Sequence, residues 1–249
     1  MPSVRRTTAL EKKIAMAKKK QLSARVLAKK SAPQSEFSQL KKRRPFTVFL
    51  VIDDREFRES LAAVLRKQHI EVRDYMTPME FYRDYRKPTP GVLITEIHLR
   101  GMTGIELFAK LTAEKNDLLV AFLAGHADAP LAIKGLKAGA IDFLVKPARE
   151  ESLTGLVARA YAIYYDVDWD FAGEDLDDIE TSINRTTPRE KEVLDLIVEG
   201  HSSRAIGELL GIAAKTVEAH RASINEKMRA DDLPHLMRMV IAYNEEIQG

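Results

Sequence analysis

Residues 187–238 read TPREKEVLDLIVEGHSSRAIGELLGIAAKTVEAHRASINEKMRADDLPHLMR. Apolar residues recur there at helical spacing in separate blocks, which predicts four short helices with a tight turn between the second and third. Val193, Leu194 and Ile197 supply the inner face of the first, and Gly200 closes it. Ala205, Ile206, Leu209 and Leu210 form the apolar face of the second, with Gly211 as its C-cap turn. The third starts near Lys215 and turns Val217, Ile224 and Met228 inward, which leaves Lys215, His220, Arg221 and Lys227 for other contacts. Two helices joined by so short a turn form a helix-turn-helix, whose second helix fits a DNA major groove. The plain alternative is a helical bundle with a charged surface.

Upstream, residues 45–165 alternate strand and helix five times. Phe46–Asp53 (FTVFLVID) is a near-continuous apolar run, the signature of a parallel strand buried on both faces. A helix follows through Leu61 and Leu65, then a short strand near Val72. Gly91–Ile97, Leu118–Leu123 and Ile141–Val145 make the remaining strands, and a closing helix runs around Leu153–Ile163. Five such units predict an α/β fold, a five-stranded doubly wound parallel sheet with its site at the carboxyl ends of the strands. Asp53, Asp54, Glu96, Ala124 and Lys146 all fall at those ends.

The chain has 249 residues, enough for two modest domains with real cores. No apolar run is long enough for a membrane helix, and no apolar segment near Met1 suggests secretion. With zero cysteines, disulfides, thiolate zinc sites and cysteine nucleophiles are ruled out, and a cytoplasmic location is expected. The formal charge of +2 hides a strong asymmetry. Residues 1–44 carry fourteen Lys/Arg against Glu11 and Glu36, a net charge of +12, so the remainder carries −10. Four regions follow: a basic arm (1–44), the α/β domain (45–165), an acidic linker (166–184) and the all-α four-helix domain (185–249). Residues 166–180 hold eight acidic and no basic side chains, with Trp169 and Phe171 available for packing.

The C-terminal region resembles the DNA-binding domain of LuxR-type regulators, in the NarL/FixJ group of response regulators. The resemblance rests on Pro188-Arg189-Glu190, Val193-Leu194, Gly200, Ile206, Leu209, Thr216-Val217-Glu218, His220-Arg221, Ile224 and Lys227-Met228. Residues 45–165 resemble the receiver domain of the same group, through VIDD, GVLITEIHLRGMTGIEL and AGHADAPLAIKGLKAGAIDFLVKP. The resemblance implies that Asp53 and Asp54 hold Mg²⁺, with Glu96 as a third acid. It also implies that Lys146 contacts a phosphoryl group and that Phe143 is a switch aromatic.

Several positions depart from that pattern. Glu96 stands where the family has its acceptor Asp, and it sets its carboxylate one methylene further out, which spoils in-line attack. Ala124 replaces the Thr or Ser that follows the phosphoryl group, and Arg100-Gly101 replace the usual Pro-Asp. The expectation is therefore a pseudo-receiver, acting either as a permanently charged mimic with Lys146 as partner of Glu96 or as a fixed dimerisation scaffold. In the helical domain, Ala213 takes the place of an N-capping Ser, and Gly207 replaces a helix-favouring Ala at a cost of about 1 kcal/mol.

The resemblance and helix geometry put Glu218, Ala219 and Ala222 toward the groove, where Glu218 accepts from a cytosine amino group. Ser203, Arg204, Lys215, Thr216, Arg221 and Lys227 are expected at phosphates, and His220 as a partly buried structural residue. Expected partners are duplex DNA, a second copy and RNA polymerase; a sensor histidine kinase does not suit the altered acceptor. An adaptor that sequesters another regulator is the alternative. A Mg²⁺-dependent phosphohydrolase using Asp53, Asp54 and Lys146 leaves the helix-turn-helix unexplained, so an enzyme is not expected. Residues 185–249 hold nine basic and eleven acidic side chains, so the arm is the chain's source of surplus positive charge. Deleting residues 1–44 is expected to weaken DNA binding and flatten its salt dependence, by about 0.9 in the log–log slope for each phosphate that is no longer neutralised. An unchanged slope by titration at several salt concentrations would contradict that role.

Overall fold

The computed structural model describes residues 44–125, 128–165 and 176–247. The expectations for the basic arm, and for Trp169 and Phe171 in the linker, lie outside the described residues.

Five strands form one parallel sheet in the order β2-β1-β3-β4-β5: β1 Thr47–Val51, β2 Glu71–Tyr75, β3 Gly91–Glu96, β4 Leu119–Ala124 and β5 Asp142–Val145. Helices α1 (Arg55–Lys67), α2 (Pro78–Asp84), α3 (Gly104–Ala113), α4 (Ala129–Lys137) and α5 (Glu150–Tyr165) connect and close it. β1 and β3 are buried at every position, which is why they read as largely apolar runs. β2 lies at the edge, partly exposed along its length, so its sequence carries Glu71, Arg73 and Asp74. Helix starts follow local chemistry. Asp54 accepts from the Phe57 N–H to begin α1, and Thr77 and Thr103 form capping boxes with Glu80 and Glu106.

Alternate residues of β1 serve opposite faces of the sheet. Val48, Leu50 and Ile52 pack with Leu61 and Leu65 of α1 and Leu156 of α5. Phe49 and Val51 pack with Phe81, Leu107, Phe122 and Phe143 on the other side. That second cluster continues without a break into the helical domain.

The helical domain comprises α6 (Leu176–Asn184), α7 (Pro188–Glu199), α8 (Ser203–Leu210), α9 (Ala214–Met228) and α10 (Leu233–Ile247). The second half of the acidic stretch is thus helix rather than linker: α6 packs against α9 and α10 and buries Ile179. Gly200 and Gly211 close α7 and α8 in the left-handed region, at φ +91° and +66°. Ala213 sits at the N-cap of α9 and makes no side-chain cap bond. Contacts of α7 with α4 and of α10 with β5 seat this domain on the α/β domain.

Gly207 turns out to be required rather than merely tolerated. A Cβ there would lie 2.7 Å from the Ile212 carbonyl oxygen and 3.3 Å from the Ala214 nitrogen, where the turn crosses back over α8. Helix propensity alone favours Ala by about 1 kcal/mol, but a clash with backbone in the turn outweighs it. Gly207→Ala is therefore expected to lower the melting temperature in calorimetry; a rise would show that the turn yields.

Candidate DNA-reading face and receiver pocket

α9 is two-sided. Val217, Ile224 and Met228 are fully buried, whereas Lys215, Thr216, Glu218, Ala219 and Ala222 are exposed along the other side. His220 and Arg221 are half-buried between the two faces. From α8, Arg204 is exposed and paired with Glu208 at 3.1 Å, and half-buried Ser203 accepts from Arg221 Nη1 at 3.4 Å. Burial pushes the Arg221 guanidinium below its ordinary value, with Glu218 opposing.

Lys227 is not a free phosphate contact. Its ammonium lies 2.6 and 2.9 Å from the two oxygens of Glu190, a buried residue at the start of α7. The same carboxylate accepts from Ser223 Oγ at 2.7 Å and from the Thr187 N–H at 2.6 Å, closing the capping box of α7. Burial works to raise the Glu190 carboxyl, but the bonds from Lys227, Ser223 and Thr187 win and hold it down at about 2. Glu190 thereby fixes α9 against α7. The sequence marked it only as a matching residue, although a Thr followed three residues later by Glu is itself the cap signal. Beside it, Arg189 Nη2 donates at 2.7 Å to the Leu210 carbonyl at the end of α8.

In the receiver, Glu96 ends β3 and is 4% exposed. One oxygen is ion-paired to the Lys146 ammonium, and the other accepts from the Asp53 N–H at 3.0 Å. Burial pushes the Glu96 carboxyl above the usual range, while Lys146 and the Asp53 N–H pull it down. Ala124 is fully buried at the end of β4, and its carbonyl accepts from the Lys146 N–H at 2.9 Å. Phe143 is likewise fully buried in β5. The Asp53 side chain lies against Glu96, but the three acids do not all converge. Asp54 is spent capping α1, and Arg100 Nε approaches Asp53 at 4.0 Å. Among the described residues no group of three or more His, Asp or Glu is arranged to hold a metal ion, so the trio Asp53, Asp54 and Glu96 does not fit Mg²⁺ as the sequence suggested. At the rim, His98 Nε2 lies 2.8 Å from Asp128 Oδ1, and Asp128 Oδ2 accepts from the Gly125 N–H at 3.1 Å.

A doubly wound sheet with acids and a Lys at its carboxyl edge, followed by a helix-turn-helix, defines the two-domain regulators that join a receiver to a DNA-binding module. Residues 48–158 match the family described as "Response regulator receiver domain", and residues 185–240 match "Bacterial regulatory proteins, luxR family". The "Transcriptional regulatory protein FixJ" of Rhizobium meliloti is 33% identical over 199 residues, covering 79% of this chain and 96% of that protein. The "C4-dicarboxylate transport transcriptional regulatory protein DctR" of Rhodobacter capsulatus is 33% identical over 196 residues, covering 78% and 98%. Full-length FixJ from B. japonicum, a solved structure, aligns at 26% identity with a TM-score of 0.46, covering 80% and 97%. The chain belongs to the response regulators with a receiver and a LuxR-type DNA-binding domain. It is a transcriptional regulator. Among the described residues no helix is long and apolar enough to cross a membrane.

Because the folded value of Glu190 lies below the ordinary 4.5, its contribution to stability is complete above about pH 4.5 and is lost as pH falls toward about 2. Glu190→Gln is expected to cost about 1–3 kcal/mol at neutral pH and to reduce that acid dependence. Chemical denaturation of both proteins across this pH range checks it; equal acid slopes would contradict it.

Proposed function

We infer that this regulator binds DNA through α9 and controls that binding without the usual aspartyl phosphorylation cycle. The observation that carries this is Glu96, a carboxylate with one oxygen on Lys146 and the other on the Asp53 N–H. Attack on a phosphohistidine needs a carboxylate of the right reach, free to align with the phosphorus. Glu96 is a methylene too long, and both of its oxygens are engaged. Ala124 offers no hydroxyl to follow a phosphoryl group, so a charge at Glu96 has no loop to pull inward. The missing hydroxyl favours the scaffold role over permanent mimicry.

The receiver then serves as the platform on which the helical domain docks and through which two copies pair. A cleft of about 490 Å³ separates α4 from the helix-turn-helix, and Glu218 and Arg221 of α9 line it opposite Pro130 and Ile133. The docked arrangement therefore sets α4 across a narrow cleft from part of the reading helix, in the way of a duplex. Once free, Glu218, Ala219 and Ala222 face the groove, while Ser203, Arg204, Lys215, Thr216 and Arg221 meet phosphates. Few of the groove-facing side chains are long, so two half-sites read by a homodimer supply the missing specificity. Contact with RNA polymerase carries occupancy of the site to transcription.

Incubation with acetyl phosphate and Mg²⁺ tests the inference. Intact mass and DNA affinity are both expected to stay unchanged. A stable phosphoryl adduct at Glu96 would overturn the pseudo-receiver role.

A further inference from the structure

The contact between α10 and the receiver is built around a charge cluster. Asp142 opens β5 and is 1% exposed. Its carboxylate is ion-paired to Arg159 of α5 and, across the domain boundary, to Arg238 of α10 at 2.6 Å. Its Oδ1 also accepts from the Phe143 N–H at 2.8 Å. Two buried guanidiniums thus share one carboxylate, which leaves the cluster net positive where charge is costly. One turn before Arg238, His235 is buried, and its Nδ1 accepts from the Asp231 N–H at 3.2 Å, a bond that requires the neutral ring.

The charged groups around His235 come from every element meeting there. Arg238 lies on its own helix, and Arg159 on α5 with Asp142 of β5 behind it. Asp231 Oδ2 lies 3.4 Å from Nδ1, Asp232 accepts from the His235 N–H at 2.9 Å, and Arg149 reaches Asp232 at 3.9 Å. Burial is the largest influence and Arg238 the next, and together they outweigh the two aspartates and push the imidazole below its ordinary 6.5. A proton on the ring would remove the lone pair that holds the Asp231 N–H. It would also set a third cation beside two guanidiniums that already share one counter-ion.

We propose that His235 makes this interface a proton-operated latch: beside a neutral ring the Arg238–Asp142 pair holds the helix-turn-helix domain against the receiver, and protonation of the ring weakens that pair and releases the domain for DNA. The latch rests on the inference that the docked arrangement sets α4 in the way of a duplex on α9, and it supplies an input that does not depend on phosphorylation. The sign follows from linkage. The docked state has the lower pKa, so docking is at full strength above about pH 6.5 and weakens as pH falls below it, by at most about tenfold per pH unit for one proton.

The chain contains no cysteine, so a dye pair on Lys67→Cys and Glu226→Cys, both exposed positions, reports docking of the full chain by energy transfer. Between about pH 7.5 and about pH 5.5, transfer is expected to change as the docking constant falls. His235→Gln, whose amide oxygen can take the Asp231 N–H without titrating, is expected to hold its neutral-pH value throughout. Arg238→Met is the reference for weakened docking at every pH. Equal pH dependence in the unsubstituted chain and His235→Gln would overturn the latch. So would a pH-independent signal in a chain that Arg238→Met still undocks. A signal already equal to that of Arg238→Met at neutral pH would instead overturn the docked arrangement itself. Should His235→Gln fail to fold, an NMR titration of His235 in the unsubstituted chain decides: a midpoint at or above about 6.5 overturns the latch.

Discussion

The polar contact at the centre of the joint between the two domains is one buried carboxylate. Asp142 sits at the first residue of β5, where the sheet needs an apolar side chain, and it is kept there by Arg159 and Arg238. Despite complete burial its carboxyl stays below the usual range, because two guanidiniums more than repay the loss of water. Removing Arg238 breaks the pair that crosses the domain boundary and leaves Asp142 with Arg159 alone, whereas removing Asp142 strands two buried guanidiniums, which costs more than an exposed ion pair contributes. The pairing also sets direction. α10 cannot slide along β5 without breaking it, and the apolar cluster around Phe49 and Phe122 continues into the helical domain through the neighbouring contact of α4 with α7.

On either side of that joint the domains differ in what they preserve. The helix-turn-helix has its caps, its glycine turns and its buried face, and Glu190 pins α9 in register with α7. The receiver has its sheet and its Lys146, but that lysine is committed to a glutamate in the acceptor position. A family architecture is thus retained, with Glu96 buried at the end of β3 and Ala124 buried at the end of β4. The Glu96–Lys146 pair is suited to rigidity, and the charge cluster around Asp142 to control.

Much of the fold was legible because period and burial coincide. β1 and β3 are buried on both faces and so are largely apolar; α9 is buried on one side only and so shows Val217, Ile224 and Met228 at helical spacing. The edge strand β2 was legible only as Val72, since its neighbours are charged. What escaped was long-range polar pairing. Asp142, Arg159 and Arg238 each look like surface residues in the sequence, and nothing local says that they meet. Lys227 has the same spacing as a phosphate contact, but its partner Glu190 lies 37 positions away. Gly207 read as a weak helix residue because the Ile212 carbonyl that crowds it belongs to the following turn. Asp53, Asp54 and Glu96 were rightly placed at one edge of the sheet, but proximity of strand ends does not decide where carboxylates point. Asp54 points to its own helix and Glu96 to Lys146.

The most direct measurement is a mobility shift of the purified full-length chain with genomic fragments at low ionic strength, at about pH 5.5 and at about pH 7.5, with no kinase and no phosphoryl donor present. A regulator that reads duplex DNA through α9 and needs no phosphorylation retains a subset of fragments against excess competitor DNA. A chain that ignores every fragment, or binds only after a phosphoryl donor is added, contradicts it.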